Sequence, residues 1–281
     1  MKKIQVSREL YDELTILKLM GKSIGFVPTM GYLHEGHIEL IKQARVQNDI
    51  VVLSIFVNPL QFGPNEDFDT YPRDILRDES IANENGVDYL FYPSVNEMYP
   101  SKPTVTAVVN NKTDVLCGKT RPGHFDGVVT VVTKLFNIVQ PTRAYFGLKD
   151  AQQVAIIHSL ISDFNFPIEL VEVPTVREDD GLAKSSRNVY LNEDERIEAI
   201  EISRSLNKAK MMIENGQYNI TVIKNEITKC LNKTSGIIDY VEIYSYPELN
   251  EIKLIQGKII IAIALKFSKA RLIDNLIYRL N

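Results

Sequence analysis

Residues 26–37 read FVPTMGYLHEGH, and this stretch decides the fold of the first part of the chain. A short apolar run closes at Pro28, a turn containing Gly31 follows, and a helical pattern begins near His34. Backbone N–H groups at a helix N-terminus favour anions. We therefore expect a strand, a turn and a helix start that together bind an anionic group.

The histidines His34 and His37 stand three residues apart at this helix start, and the chain has only 4 histidines in all. Side chains three apart on a helix lie on the same face. Two imidazoles in this place can donate hydrogen bonds to phosphate oxygens. The alternatives are surface histidines or zinc ligands, but zinc would need a third ligand from elsewhere and no HExxH pattern supplies it. The order of a strand, a turn and then the histidine pair favours the interpretation that the two histidines are catalytic.

The flanking sequence alternates between runs of strand length and helical patterns. Further apolar runs of strand length lie at residues 50–57, 87–92, 105–109, 144–147 and 168–173. Between them, apolar residues recur at spacings of three and four in residues 33–44, 128–136 and 154–161. His158 falls inside the last pattern, and we expect it to be packed. Apolar strands that alternate with helices predict an α/β domain with a doubly wound parallel sheet, which we place at residues 1–180.

The order of elements changes after residue 192. Two helices are predicted at residues 193–215 and 220–232, and strands are predicted at residues 240–244, 258–265 and 270–273. Helices followed by strands indicate a smaller α+β domain, at residues 181–281. The polar segment 176–188 is expected to be the hinge between the two domains.

Composition argues against several classes of function. The formal net charge is -4, with 36 acidic against 32 basic residues, whereas nucleic-acid binders usually carry a strong basic excess. The sequence shows no apolar run long enough to span a bilayer and no apolar signal core. The two cysteines, Cys117 and Cys230, form no CxxC pair. We expect a cytoplasmic protein that binds neither nucleic acid nor a membrane.

Two further polar segments have the chemistry of phosphate binding. Residues 145–153, YFGLKDAQQ, join a strand end to a helix start, where Lys149 can reach a triphosphate as a point charge. Residues 177–188, REDDGLAKSSRN, place serine hydroxyls beside Lys184 and Arg187 in a segment that we expect to be mobile without ligand. Each segment taken alone also has a simpler explanation. Residues 145–153 could be a capped helix with a solvated lysine, and residues 177–188 could be an exposed, charged linker.

Six sequence blocks together resemble one family. They are 28–31 (PTMG), 56–63 (FVNPLQFG), 71–74 (YPRD), 121–128 (RPGHFDGV), 185–188 (SSRN) and 270–275 (ARLIDN). In this order they are similar to the signature blocks of the pantothenate synthetase family, part of the nucleotidyltransferase superfamily. The resemblance implies an ATP-dependent ligase that activates pantoate as an acyl adenylate. The amine of β-alanine then attacks the adenylate, which gives pantothenate, AMP and pyrophosphate.

The resemblance also implies roles for individual residues. The implied catalytic residues are His34, His37 and Lys149. The implied ATP-binding residues are Met30, Gly31, Tyr32, Leu33, His34, Glu35, Gly36, His37, Gly147, Leu148, Lys149, Asp150, Val176, Lys184, Ser185, Ser186 and Arg187. The implied substrate-binding residues are Asn58, Gln61 and Gln153, and Gln61 would also lie beside β-alanine. Mg²⁺ is expected on the ATP phosphates rather than in an all-protein site, and a homodimer is implied. Lys184 departs from the family pattern, which has an apolar residue there.

Three alternatives stay open. Another adenylyltransferase of the superfamily would need more cations for a second phosphate than the block 58–63 offers. An aminoacyl-tRNA synthetase would need an anticodon domain and a basic surplus for tRNA. A non-catalytic nucleotide-binding protein would have lost part of the set formed by the histidines, Lys149 and the Ser-Ser-Arg loop. For the ligase, we expect the C-terminal domain to close over the nucleotide and exclude water.

Overall fold

The computed structural model describes residues 1–64 and 66–280, and the chain divides into two compact units. The first unit consists of Met1–Thr113, Cys117–Leu148 and Ile156–Pro174. The second unit consists of Asp114–Leu116, Lys149–Ala155 and Thr175–Asn281.

The first unit is built on a six-stranded parallel sheet. Its strands are β1 (Lys2–Ile4), β2 (Ile24–Thr29), β3 (Ile50–Ile55), β4 (Tyr89–Phe91), β5 (Arg143–Gly147) and β6 (Glu169–Val173). The order across the sheet is β1-β4-β3-β2-β5-β6, so the direction of winding reverses between β2 and β5. Open α/β sheets bind ligands at such a switch point, beyond the carboxyl ends of the strands. The predicted doubly wound α/β fold is confirmed.

Helices connect these strands. They are α1 (Ser7–Leu19), α2 (Glu35–Gln47), α3 (Ile75–Glu84), α4 (Val95–Met98), α5 (Leu116–Thr120), α6 (His124–Val139) and α7 (Ala151–Asp163). The central strands β2 and β3 are buried along most of their length, as expected for a parallel sheet covered on both faces. Short 3-10 helices follow β3 and β5 at Pro59–Gln61 and Leu148–Asp150.

Two local expectations for this part of the chain were wrong, and one strand was not predicted. Residues 105–109 form no strand, because the backbone N–H groups of Ala107 and Val109 donate to side chains of α6 instead of to a neighbouring strand. The strand β1 was missed, since its sequence KKI contains a single apolar residue. His158 is exposed rather than packed, because its side chain falls on the outer face of α7.

The second unit contains three helices and an antiparallel three-stranded sheet of order β7-β8-β9. The helices are α8 (Glu193–Glu198), α9 (Ile200–Glu214) and α10 (Ile220–Leu231), and the strands are β7 (Ile237–Ser245), β8 (Lys258–Lys266) and β9 (Arg271–Arg279). Isoleucine and leucine side chains of the helices pack against the central strand β8 in one core. The predicted α+β character is confirmed, but the helix predicted over residues 193–215 is divided at Ala199.

Within the described ranges, no helix combines the length and the apolar character needed to cross a membrane.

Candidate active site

The turn between β2 and α2 is held by a carboxylate from elsewhere in the sequence. Gly31 and Tyr32 both have positive φ angles, 84° and 52°. The buried carboxylate of Asp78, on α3, accepts the backbone N–H groups of Tyr32 and Leu33, each at 2.7 Å. A Cβ atom at Gly31 would lie 2.9 Å from Asp78 Oδ2, so the turn leaves no room for a side chain there. Glycine is thus required both by the backbone angle and by this close approach.

Ionisation of Asp78 is disfavoured by its surroundings. Burial raises the pKa of this carboxyl, and the two backbone N–H groups only partly offset the effect. The group that fixes the turn is therefore costly to bury in its charged form.

The two histidines cap the start of α2 reciprocally. His34 Nδ1 accepts the backbone N–H of Gly36 at 3.1 Å, and His37 Nδ1 accepts the backbone N–H of His34 at 3.3 Å. The ring centroids are 4.1 Å apart. An Nδ1 atom that accepts a hydrogen bond carries no proton, so both neutral rings carry theirs on Nε2. The cap thereby fixes the ring tautomers as well as the ring positions.

This arrangement has the chemistry of an anion site. Two Nε2–H donors stand at the N-terminus of a helix, where the backbone dipole also favours negative charge. Gly36 contributes by its lack of a side chain, since a Cβ atom there would lie 2.9 Å from Cε1 of His34. The space that a side chain at Gly36 would fill is occupied by the His34 ring.

Asn58 and Gln61 lie on the 3-10 turn that follows β3. Asn58 Nδ2 donates to the carbonyl of Gly127 at 3.0 Å and to Gln61 Oε1 at 3.2 Å. Its Oδ1 accepts from the backbone of Leu60 and from the Tyr99 hydroxyl. The buried Asn58 amide thus makes four hydrogen bonds within the protein, which suits it to orient the neighbouring Gln61.

The Gln61 side chain connects this turn to the end of β2. Gln61 Nε2 lies 3.0 Å from the Sδ atom of Met30, so the structure brings these two residues together. Helix α6 approaches the same turn at Gly127, where a Cβ atom would lie 2.2 Å from the carbonyl oxygen of Leu60. The helix and the turn therefore pack backbone against backbone.

A chain of polar groups that the sequence left without a role holds the backbone of Gln61. Glu66 accepts from Arg121 Nε at 2.7 Å, and Arg121 Nη1 donates to His124 Nε2 at 3.0 Å. His124 Nδ1 donates to the Gln61 carbonyl at 2.7 Å. Because a guanidinium only donates and a carbonyl only accepts, His124 is neutral with its proton on Nδ1. Burial pushes the pKa of Glu66 upward, but the hydrogen bond and charge of Arg121 outweigh it and hold that pKa below its ordinary value.

In the second unit, Lys149 lies on the 3-10 turn before α7. Its side chain is mostly buried, and its Nζ is 3.6 Å from Asp150 Oδ1. Gln152 is buried and donates to the carbonyl of Val115 at 2.8 Å, so it has a structural partner. Gln153 is half-buried on the next position of the helix. The sequence alone does not distinguish the two adjacent glutamines. Only the fold shows that Gln152 bonds to the Val115 carbonyl.

Residues 176–184 form a hydrogen-bonded hairpin. The Lys184 N–H donates to the Val176 carbonyl at 2.9 Å, and Arg177 pairs with Ala183 as an antiparallel bridge. Gly181 takes a φ of 97° at the tip.

The segment that follows the hairpin contains the predicted phosphate-binding residues. Ser185 accepts the Arg187 N–H through its hydroxyl and caps a 3-10 helix, Ser186–Tyr190.

In the hairpin, the carboxylate of Asp180 lies 2.7 Å from the guanidinium of Arg196. Burial pushes the pKa of Asp180 upward, but the hydrogen bonds from the Leu182 N–H and Arg196 outweigh it and hold that pKa below its ordinary value.

Among the residues that the structure describes, no group of three or more His, Cys, Asp or Glu side chains is placed to hold a metal ion.

The chain is similar to one family over almost its whole length. A family model described as pantoate-beta-alanine ligase matches residues 1–277. A pantothenate synthetase of Geobacillus sp. (strain WCH70) is 62% identical over 278 residues, which are 96% of this chain and 98% of the relative. One from Bacillus pumilus (strain SAFR-032) is 64% identical over 256 residues, 91% of this chain and 89% of the relative.

Solved structures give the same result. The crystal structure of pantothenate synthetase from Thermus thermophilus has a TM-score of 0.93 at 43% identity and covers 98% of this chain and 99% of its own. The structure of pantoate-beta-alanine ligase from Francisella tularensis, complexed with beta-gamma ATP and beta-alanine, has a TM-score of 0.77 at 36% identity and covers 98% and 97%. The similarity extends through both units.

Proposed function

The chain belongs to the pantoate–β-alanine ligase family, and we propose that it condenses pantoate with β-alanine through a pantoyl adenylate formed from ATP. The observation that carries the proposal is the reciprocal histidine cap, which presents two Nε2–H donors at a helix N-terminus. The Francisella tularensis relative, solved with beta-gamma ATP and beta-alanine, supports ATP and β-alanine as ligands.

In the first step, the pantoate carboxylate attacks the α-phosphorus of ATP and pyrophosphate leaves. Negative charge builds on the phosphate oxygens as the bond to pyrophosphate breaks. His34 and His37 stabilise this charge by donating from Nε2, and their positions are set in advance by the cap. We further propose that Lys149 and the hydroxyls of Ser185 and Ser186 bind the phosphates, with Arg187 and Lys184 as further cations.

Pantoate is held by neutral groups in this proposal. Gln61 and Gln153 give directional hydrogen bonds to the hydroxyls and carboxylate of a small hydroxy acid. Asn58 orients Gln61, since its own four hydrogen bonds are made inside the protein. The remaining positions 30–33 and 35–36, together with Gly147, Leu148, Asp150 and Val176, complete the proposed ATP site.

In the second step, the amine of β-alanine attacks the carbonyl carbon of the pantoyl adenylate, and AMP leaves. Neither step requires a covalent bond to the protein, so catalysis consists of positioning and charge stabilisation. Mg²⁺ belongs to the proposal as an ion held by phosphate oxygens and water, and it supplies further charge neutralisation there. A cytoplasmic homodimer is the proposed form of the protein.

Pyrophosphate exchange into ATP tests the proposal directly. Labelled pyrophosphate is incubated with the protein and ATP, with or without pantoate, and without β-alanine. The expected result is exchange that depends on pantoate. Without β-alanine only the adenylate step runs, and its reversal carries labelled pyrophosphate into ATP. Exchange without pantoate, or no exchange while pantothenate is still formed, would overturn the adenylate mechanism.

A further inference from the structure

Two adjacent polar residues, Asp274 and Asn275, are buried on strand β9. They close the sequence block 270–275, for which neither the residues nor the resemblance supplies a role. Buried polar side chains are retained in a stable core only when hydrogen bonds compensate for lost hydration. Their partners therefore indicate what the pair is for.

Asn275 holds the turn that contains Lys149. Its Nδ2 donates to the backbone carbonyl of Lys149 at 2.9 Å. Because a carbonyl can only accept, the amide nitrogen must be the group directed at it, which fixes the orientation of the Asn275 side chain. The Lys149 backbone is thus tied to β9 directly before α7 begins.

Asp274 holds the hairpin that leads to Ser185. Its two carboxylate oxygens accept from Arg177 Nη1 at 2.6 Å and Arg177 Nη2 at 3.0 Å. The same Nη1 also donates to the carbonyl of Gly181 at 3.1 Å, so the ion pair reaches the tip of the hairpin. A bidentate pair of this kind fixes the guanidinium plane as well as its distance.

Successive side chains on a strand point to opposite faces. One short piece of β9 therefore reaches the Lys149 turn with one residue and the hairpin with the next. Both segments belong to the proposed ATP site, where the spacing between the lysine and the serine loop must match a single triphosphate.

We propose that Asp274 and Asn275 are positioning residues for ATP, which set the Lys149 turn and the 176–187 segment at a fixed spacing within the second unit. The inference rests on the proposed function, since it assigns these segments to the nucleotide. Neither residue contacts the reacting atoms in this proposal. Loss of either contact weakens ATP binding by letting a phosphate-binding group move.

Titration of the full-length protein with ATP tests the Asn275 contact. Removing one hydrogen bond that positions a charged group should raise the ATP dissociation constant about 3- to 10-fold in Asn275→Ala. In a Lys149→Ala background the same substitution should change the constant less than twofold, because Asn275 acts through Lys149. Fully additive losses, or wild-type affinity in Asn275→Ala, would contradict the inference. Asn275→Asp removes the donor at nearly constant size and replaces the alanine variant if that does not fold.

The Asp274 contact is tested with a matched pair. Asp239 also receives an arginine, since Arg271 Nη2 lies 2.6 Å from its Oδ2, and this pair joins strand β7 to strand β9. Asp274→Asn should weaken ATP binding and Asp239→Asn should not, and thermal unfolding without ligand reports whether each variant folds. Equal affinity in the two variants counts against the inference. If the wild-type protein itself does not bind ATP, the proposed function fails and the inference fails with it. If ATP binds and Lys149→Ala weakens it while the Asp274 and Asn275 variants bind normally, only the inference is wrong.

Discussion

His37 Nδ1 accepts the backbone N–H of His34, the residue whose own ring caps the same helix. Each histidine therefore serves twice, as a structural cap and as the group that presents an Nε2 donor. A substitution at either position changes the surroundings of the other ring. The two effects can be separated, because caps contribute to stability whereas donors contribute to rate.

We expect His34→Ala and His37→Ala each to lower pantoate-dependent pyrophosphate exchange about 10²–10³-fold, as for the loss of one charge-stabilising donor. Loss of the cap should cost about 1 kcal/mol of unfolding free energy, which leaves the protein folded. His158→Ala, on the exposed face of α7, is the control and should exchange at the wild-type rate. Near-wild-type exchange in both cap variants would remove these histidines from the mechanism.

Substitutions at the hydrogen-bonded residues Asn58 and Gln61 should affect stability and pantoate binding differently. Asn58→Ala leaves the Gly127 carbonyl and the Tyr99 hydroxyl without their partner, so we expect a loss of about 2–3 kcal/mol in unfolding free energy. Gln61→Ala should cost about 1 kcal/mol in stability but weaken pantoate binding about tenfold. Urea unfolding and pantoate titration measure the two quantities. If both variants lose the same unfolding free energy and the same pantoate affinity, Asn58 and Gln61 do not have separate roles in stability and binding.

The glutamines Gln152 and Gln153 make a second matched pair. Gln153→Ala should raise the pantoate dissociation constant about tenfold and leave ATP affinity nearly unchanged. Gln152→Ala, which removes the bond to Val115, should lower the unfolding free energy by about 1–2 kcal/mol without a selective effect on pantoate. Calorimetric titration with each ligand decides between them, and equal losses for ATP and pantoate would move Gln153 into the nucleotide site.

Gly127→Ala should be strongly destabilising, because the added Cβ atom would lie 2.2 Å from the Leu60 carbonyl oxygen and must displace backbone. We expect a loss of about 3 kcal/mol or more, as for other severe overpacking in a core. Gly63→Ala is the control in the same region, since its nearest neighbours lie at 3.7 Å or beyond. Chemical denaturation of both variants gives the comparison, and a mild effect at Gly127 would mean that α6 and the turn can separate freely.

The raised pKa of Asp78 gives a pH-dependence with a defined sign. Its folded pKa lies above the ordinary value of 3.8, mainly because of burial, so the protonated group favours folding and this contribution is lost as pH rises through the folded pKa. Asp78→Asn cannot ionise. The unfolding free energy of the variant should therefore rise relative to wild type as pH increases from below 3.8 to neutrality, as measured by urea unfolding. An opposite difference would show that the two backbone N–H groups outweigh burial, and a constant difference would show that the two effects cancel.

Local patterns predicted the elements that define the fold. The runs that became β2 and β3, and the apolar spacing of α2 and α6, fall within a few residues of the observed bounds. Tertiary contacts overrode the pattern at residues 105–109, where α6 side chains take the backbone N–H groups. A break at Ala199 is invisible to periodicity, since both halves continue the same helical pattern.

The candidate site was predictable as far as its motifs extend. The histidine pair and the block around Asn58 stand out because several functional residue types lie close together in sequence. Asp78 lies outside these motifs, and Asp274 and Asn275 lie in a block to which the sequence assigned no role, because each acts on a segment far away along the chain. The charges of residues 177–188 indicated a mobile loop, yet Arg177 and Asp180 are paired in the structure. Its mobility without ligand stays a prediction.

The carboxylate that holds the β2–α2 turn lies 46 residues beyond Tyr32 in the chain. During synthesis, a nascent chain that ends before α3 already contains both histidines but has no acceptor for the Tyr32 and Leu33 N–H groups. The turn at Tyr32 and Leu33 can therefore take its hydrogen-bonded form only after Asp78 has left the ribosome. Folding of the turn in the proposed nucleotide site is in this way coupled to the order in which the ribosome delivers the chain.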